Sequence, residues 1–283
     1  MKQASYAVFK QTIEQVMLGH EKLPSLPSIT LKIRRELATP NTTVARIAAL
    51  VAADPSIAVM LMRYASGPLY RTQEVPKSLE TAISLLGIPT VGRLVMLHSI
   101  KSLFIIKSPG LKQLYAITWQ RQALKAAVSR FLAQKLGLYP VDEALIACLL
   151  SEIGTLAILS ALSDLPEPPS SQTYLTLCRR YSKSLGVIIL KKWDMDSSYG
   201  DTVRHCGDWL YQSGGPLNIG DVINLALYHT VALMKKQNDL PVITELPAYR
   251  KLPVSFNHCD SNGLLSMLIT NKKEIIGVAR SLG

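Results

Sequence analysis

Apolar residues recur along this chain at steps of three and four, and no stretch of useful length alternates apolar with polar. The pattern therefore predicts helices throughout and an all-α fold. Its centre is residues 141–163, VDEALIACLLSEIGTLAILSALS, expected as one buried helix. Leu145, Leu149, Glu152, Leu156 and Leu159 share a face of that helix, apolar except for the carboxylate. A carboxylate on a core stripe is costly unless it is paired. Glu152 therefore stands at the rim of the stripe, on a face rotated by a residue, or against a cation or a metal. Residues 111–136 give a second long helix, with Leu114, Ile117, Arg121, Leu124, Val128 and Phe131 as its stripe. Arg121 either snorkels its head to solvent or meets Glu152 inside one bundle as a charge-assisted pair.

Shorter helices surround these two. A helix over 4–19 opens the chain, and Ser28 is a candidate cap for a helix to Leu37 with Ile29, Ile33 and Leu37 inward. Thr42 or Thr43 starts the next. Asp54-Pro55, a carboxylate cap followed by proline, opens a nearly all-apolar helix over 56–66 that is expected to be central. Ser78 and Gly87 bracket another, and Pro89 restarts one through Leu103. A charged loop at 71–77 and a proline-rich break at 164–170 interrupt the pattern. Two helices are expected at 173–182 and 184–193, then one from Asp194 to Cys206, a turn at 209–218, and an amphipathic helix at 219–236 ending in lysines. A proline-punctuated connector at 240–254 and a last helix at 260–281 follow.

With 283 residues, 48% hydrophobic and 6% aromatic, the chain is rich in the aliphatics that suit helix-on-helix packing. No 18-residue run is both apolar and free of charge, so no membrane span is expected. The first residues lack the apolar segment of a secretion signal. Cys148, Cys178, Cys206 and Cys259 lie far apart with no CxxC pair, which reads as reduced cysteine in a cytoplasmic protein. The net charge of +11 is concentrated before residue 110. The basic residues are spread out and not interleaved with aromatics, and no reading helix or zinc finger is evident, so nucleic-acid binding is not favoured. A solvated basic surface or docking to an acidic protein fits better.

The segments LPSLPSITLKI, IAALVAADPSIAVMLMRYAS and SLETAISLLGIPTVGRLV resemble the HDOD domain, in that order and at its spacing. The Asp54-Pro55 helix and the Ser78-to-Gly87 stretch are the specific parts. Ser66-Gly67-Pro68 departs from the Asn-Ser-Ala that usually precedes the Leu-Tyr pair. The resemblance covers about residues 20–215, and residues 111–136 and 141–163 look like the HD-related half. It divides the chain into a leading helix (1–20), an N-terminal helical part (21–110), an HD-like part (111–216) and a C-terminal helical extension (217–283). No length is left over for an attached receiver, cyclase or phosphodiesterase domain.

HDOD domains are similar to the HD superfamily of phosphohydrolases. There a histidine on one helix, a His-Asp pair on the next and a later aspartate hold divalent metals that activate water. The resemblance maps the first histidine to Arg121 and the His-Asp pair to Ser151-Glu152, within SEIGTL where an active member resembles HDIGKL, so that Thr155 stands for the lysine. The last aspartate falls near 224–227, where no carboxylate stands, and Asp221 is a turn too early. His205, beside Cys206, lies where larger relatives place a ligand, and Tyr228-His229 reads as structural. Arginine carries no lone pair to offer a metal. The resemblance thus implies no catalytic residues, no metal, no cofactor, and a regulatory module acting through protein contacts in bacterial signalling. Two other readings stay open: a divergent metal-dependent phosphohydrolase, and a sensor for a nucleotide or other anion in a vestigial pocket touched by Arg121, Ser151, Glu152 and His205.

Overall fold

The computed structural model describes residues 2–19, 26–67, 75–103, 108–138, 140–163, 165, 167–234 and 240–282. Every regular element among them is helical apart from one antiparallel bridge between Cys259 and Leu265, so the fold is all-α as expected. The loop expected at 71–77, the break at 164–170 and Lys235 and Lys236 fall wholly or partly outside the described residues.

The chain divides into two compact units, Pro24–Ile105 and Met1–Leu23 with Ile106–Gly283. Helix α1 (Lys2–Leu18) belongs to the larger one. The smaller holds α2 (Ser28–Leu37), α3 (Val44–Ala52), α4 (Pro55–Ala65), α5 (Leu79–Leu86) and α6 (Ile88–Leu103). Its boundaries follow from capping chemistry. Thr43 accepts the amide of Arg46, Asp54 those of Ser56 and Ile57 ahead of Pro55, and Ser78 that of Thr81. Gly87 ends α5 at φ +78°, a conformation that costs glycine little. Two expectations fail here. Pro27, not Ser28, precedes the first turn of α2, without a side-chain cap. Helix α4 is not central: Ile57, Leu61 and Ala65 face the core, while Val59 is 60% exposed.

The larger unit continues with α7 (Pro109–Lys135), α8 (Val141–Leu150), α9 (Ile153–Leu162), α10 (Ser171–Lys192), α11 (Ser197–His205), α12 (Ile219–Leu233), α13 (Pro247–Arg250), α14 (Ser266–Thr270) and α15 (Lys272–Leu282). Helix α7 packs on α8, α12 and α15, α9 packs on α10, and α1 lies against α9 and α10. The Trp119 indole donates to the carbonyl of Leu282 at 3.2 Å, tying the C-terminal helix to α7. Together α8 and α9 are long and apolar enough to cross a membrane, yet most of that stretch is buried inside the fold.

Four expected helices are redrawn. Residues 141–163 form two helices that break at Ser151-Glu152, where Glu152 adopts φ −120° and ψ 22°. Residues 171–192 form one helix, because Lys183 and Ser184, where the sequence reading parts 173–182 from 184–193, lie on its exposed face together with Arg179 and Arg180. The final segment bends at Asn271 between α14 and α15.

Candidate functional site

The break between α8 and α9 is where charge gathers. Ser151 returns its hydroxyl to the carbonyl of Cys148 at 2.6 Å, and the Thr155 hydroxyl donates to the carbonyl of Glu152. These local bonds satisfy the turn and aim the Glu152 carboxylate at α7. There Arg121 donates to Oε2, and Lys125 Nζ donates to Oε1 at 2.9 Å. Lys125 also donates to Ser151 Oγ at 3.0 Å and lies 3.8 Å from Cys206 Sγ. One turn further, Gln122 Nε2 donates to Thr155 Oγ1 at 3.0 Å.

Lys125 is 1% exposed, whereas Arg121 keeps 30% of its side chain in solvent. Burial opposes the charge on Glu152, but Arg121 and Lys125 outweigh it and hold the carboxyl down at about 2. Burial likewise opposes the Lys125 ammonium, and the acidic groups around it, Cys206 and Glu152 among them, raise it above the ordinary lysine value. The cluster is thus a closed set of ions at neutral pH. The Lys125–Ser151 contact resembles a nucleophile–base dyad, but a lysine held protonated cannot take the serine proton. Ser151 is itself turned to a backbone carbonyl.

A divalent ion does not fit this set. Both carboxylate oxygens of Glu152 already accept from cations, and an incoming metal would meet the Arg121 and Lys125 charges at hydrogen-bonding distance.

Of the residues singled out in the sequence, Arg121, Ser151 and Glu152 meet in this cluster. His205 does not join them. It stacks on Tyr211 with ring centroids 3.6 Å apart, at the edge of a separate cavity of about 470 Å³ between α8, α11 and the start of α12. Glu143, Asp201, Cys206 and Asn224 also line that cavity, and among the described residues no lysine or arginine does. Asp221 and Asn224 hold the loop that walls it. The Asn224 amide accepts from the Gly207 amide at 2.8 Å and donates to the His205 carbonyl at 3.1 Å. Asp221 completes a capping box with Asn218, and its carboxylate accepts from Ser213 and from Lys251 at 3.0 Å. His229 is fully buried, neither ring nitrogen has a hydrogen-bond partner among the described residues, and burial pushes its pKa down to about 3.

Sequence reasoning missed Lys125, and the signal was available. It stands four residues after Arg121, so a helix puts both cations on one face. The expected α7 stripe was drawn slightly off, since Ile117 is 49% exposed while Gln122, Lys125 and Ser129 are buried.

The sequence profile of the HDOD domain matches residues 23–208. Among curated proteins no significant match is found. Among solved structures, the chain is similar to a protein of Shewanella amazonensis SB2B described as a putative metal-dependent phosphohydrolase. The TM-score is 0.73 at 18% identity, covering 96% of this chain and 100% of that one. An HDOD domain protein of unknown function from Geobacter sulfurreducens gives 0.68 at 18%, covering 96% of both chains. A putative signal transduction protein from Marinobacter aquaeolei VT8 gives 0.58 at 18%, over 98% of this chain and 66% of that one. At such identity these likenesses speak to the fold alone, and they agree with the helices described above. The profile match spans both units over most of the chain, and the chain belongs to the HDOD domain family.

Proposed function

We propose that this chain is a non-catalytic regulatory module that acts by contact with a partner protein in bacterial signal transduction. One observation carries the reading: the carboxylate at the position of the HD aspartate has both oxygens occupied by the chain's own cations, Arg121 and Lys125. Metal-assisted hydrolysis needs a carboxylate with a lone pair free for the ion and an open position for water. The Marinobacter relative described as a signal transduction protein points the same way. Four free cysteines, two of them buried, suit a reducing cytoplasm. The net charge of +11 favours an acidic partner surface.

The competing reading is a divergent phosphohydrolase, the activity in the description of the Shewanella relative. Elemental analysis for manganese, iron, nickel and zinc on protein purified without chelator separates the two, alongside phosphatase and phosphodiesterase assays. The expected result is no stoichiometric metal and no turnover. One or two tightly held metals per chain, with hydrolysis that depends on Glu152, would overturn the regulatory reading.

A further inference from the structure

We propose that the cavity between α8, α11 and α12 is a binding site for a small organic ammonium ion, with Glu143 as its anchor. The site does not depend on whether the charge cluster is catalytic.

The cavity has the dimensions of a small-molecule site, about 470 Å³. Its walls are held in advance of any ligand. Asn224, 6% exposed, uses its amide to fix Gly207 and the His205 carbonyl, and Asp221, 2% exposed, holds Ser213 together with Lys251. Two buried polar side chains thus set the shape of the loop, and a ligand would not have to order it.

The charge of the lining selects the ligand. Two carboxylates, Glu143 and Asp201, face the cavity. Asp201 is largely exposed and already paired with Arg204 in a solvent-screened contact, whereas Lys125 is directed to Glu152 and Lys251 to Asp221, so among the described residues Glu143 is the lining carboxylate that faces the cavity without a cation. The hydroxyl of Tyr199, a neutral donor, bonds to Glu143 and brings no charge of its own to it. Glu143 also lies in the first turn of α8, where the helix dipole stabilises an anion. A phosphate or carboxylate ligand would meet the Glu143 charge with no lysine or arginine in the described lining to offset it, whereas an ammonium would pair with it. The Tyr211 ring and Ala147 supply apolar surface for a flat or aliphatic body. Cys206 lines the cavity and touches Lys125, so an occupant would lie one side chain from the cluster that joins α7 to the α8–α9 break.

The test is calorimetric titration of the full chain at neutral pH with three probes: tyramine, its alcohol analogue tyrosol, and AMP. Tyramine and tyrosol differ only in the charged end. Tyramine should bind about fivefold or more tightly than tyrosol, and AMP should not bind. Glu143→Gln should reduce that preference to near unity, while Tyr199→Phe, which removes the neutral partner of Glu143, should keep it. Melting temperatures recorded beside each titration establish that the variants are folded. Should Glu143→Gln not fold, the tyramine-to-tyrosol ratio on the wild type and on Tyr199→Phe decides. Equal binding of tyramine and tyrosol, binding of AMP alone, or no binding of any probe at millimolar concentration would overturn the proposal.

Discussion

Lys125 is the residue on which the charge cluster turns. A fully buried ammonium is tolerated only while its counter-charge is in place, and breaking such a pair from either side strands an ion. Glu152→Ala is therefore expected to lose about 3–5 kcal/mol of stability in urea unfolding, because it leaves two cations without their carboxylate. Lys125→Met should lose a similar amount, while Arg121→Ala should lose less, since a third of Arg121 is already in water. Combining Lys125→Met with Glu152→Gln removes both charges. The double variant should be more stable than the sum of the two single losses by about 1 kcal/mol or more. Strict additivity would mean that the two side chains do not interact.

At the scale of the helices, the contact between α9 and α10 is set by a missing side chain. A Cβ at Gly154 would fall 1.9 Å from the carbonyl oxygen of Ser182 and 2.9 Å from the amide of Gly186. Both are backbone atoms, so a methyl group has nowhere to go without parting the helices. Gly154→Ala should cost about 3 kcal/mol or more in thermal or urea unfolding. Gly277→Ala, in open space on α15, should be neutral or slightly stabilising. Such contacts also explain what was legible. The caps at Thr43, Asp54 and Ser78 and the stop at Gly87 are local chemistry, and sequence reading found them. The Arg121–Glu152 pairing was legible too, because a lone charge on an apolar stripe implies a partner. The break at Ser151-Glu152 was not. No proline or glycine marks it, and it is held by tertiary bonds from Lys125 and by hydroxyls returning to the backbone. The polar pair Lys183-Ser184 misled in the opposite sense, since the outer face of a long helix and a break carry the same residues. His205 was drawn toward the cluster by resemblance. Its neighbour Cys206 makes that contact instead, while the histidine ring packs on Tyr211.

For the molecule as a whole, two buried ionisable groups govern how stability depends on pH, and both act in the same direction. His229 is neutral in the fold, with its pKa lowered from 6.5 to about 3 by burial. Below pH 6.5 the unfolded chain binds a proton there that the folded chain refuses. Stability should therefore fall by about 1.4 kcal/mol per pH unit as the medium is acidified. Glu152 adds nothing to that slope until lower pH. Its folded pKa of about 2 lies below the ordinary 4.5, so the stability from its ionised form is complete above 4.5 and is lost as pH falls toward 2. Urea unfolding followed from pH 8 to pH 3.5 should thus show a plateau above 6.5, a single slope from 6.5 to 4.5, and a steeper one below. His229→Phe isolates the first term. It keeps a ring in the same space, removes two buried nitrogens that lack partners, and leaves nothing to protonate. The variant should be at least as stable as the parent at pH 7 and should stay level down to about pH 4.5. A slope between 6.5 and 4.5 that survived the substitution would assign the acid sensitivity to other groups and remove His229 from the account.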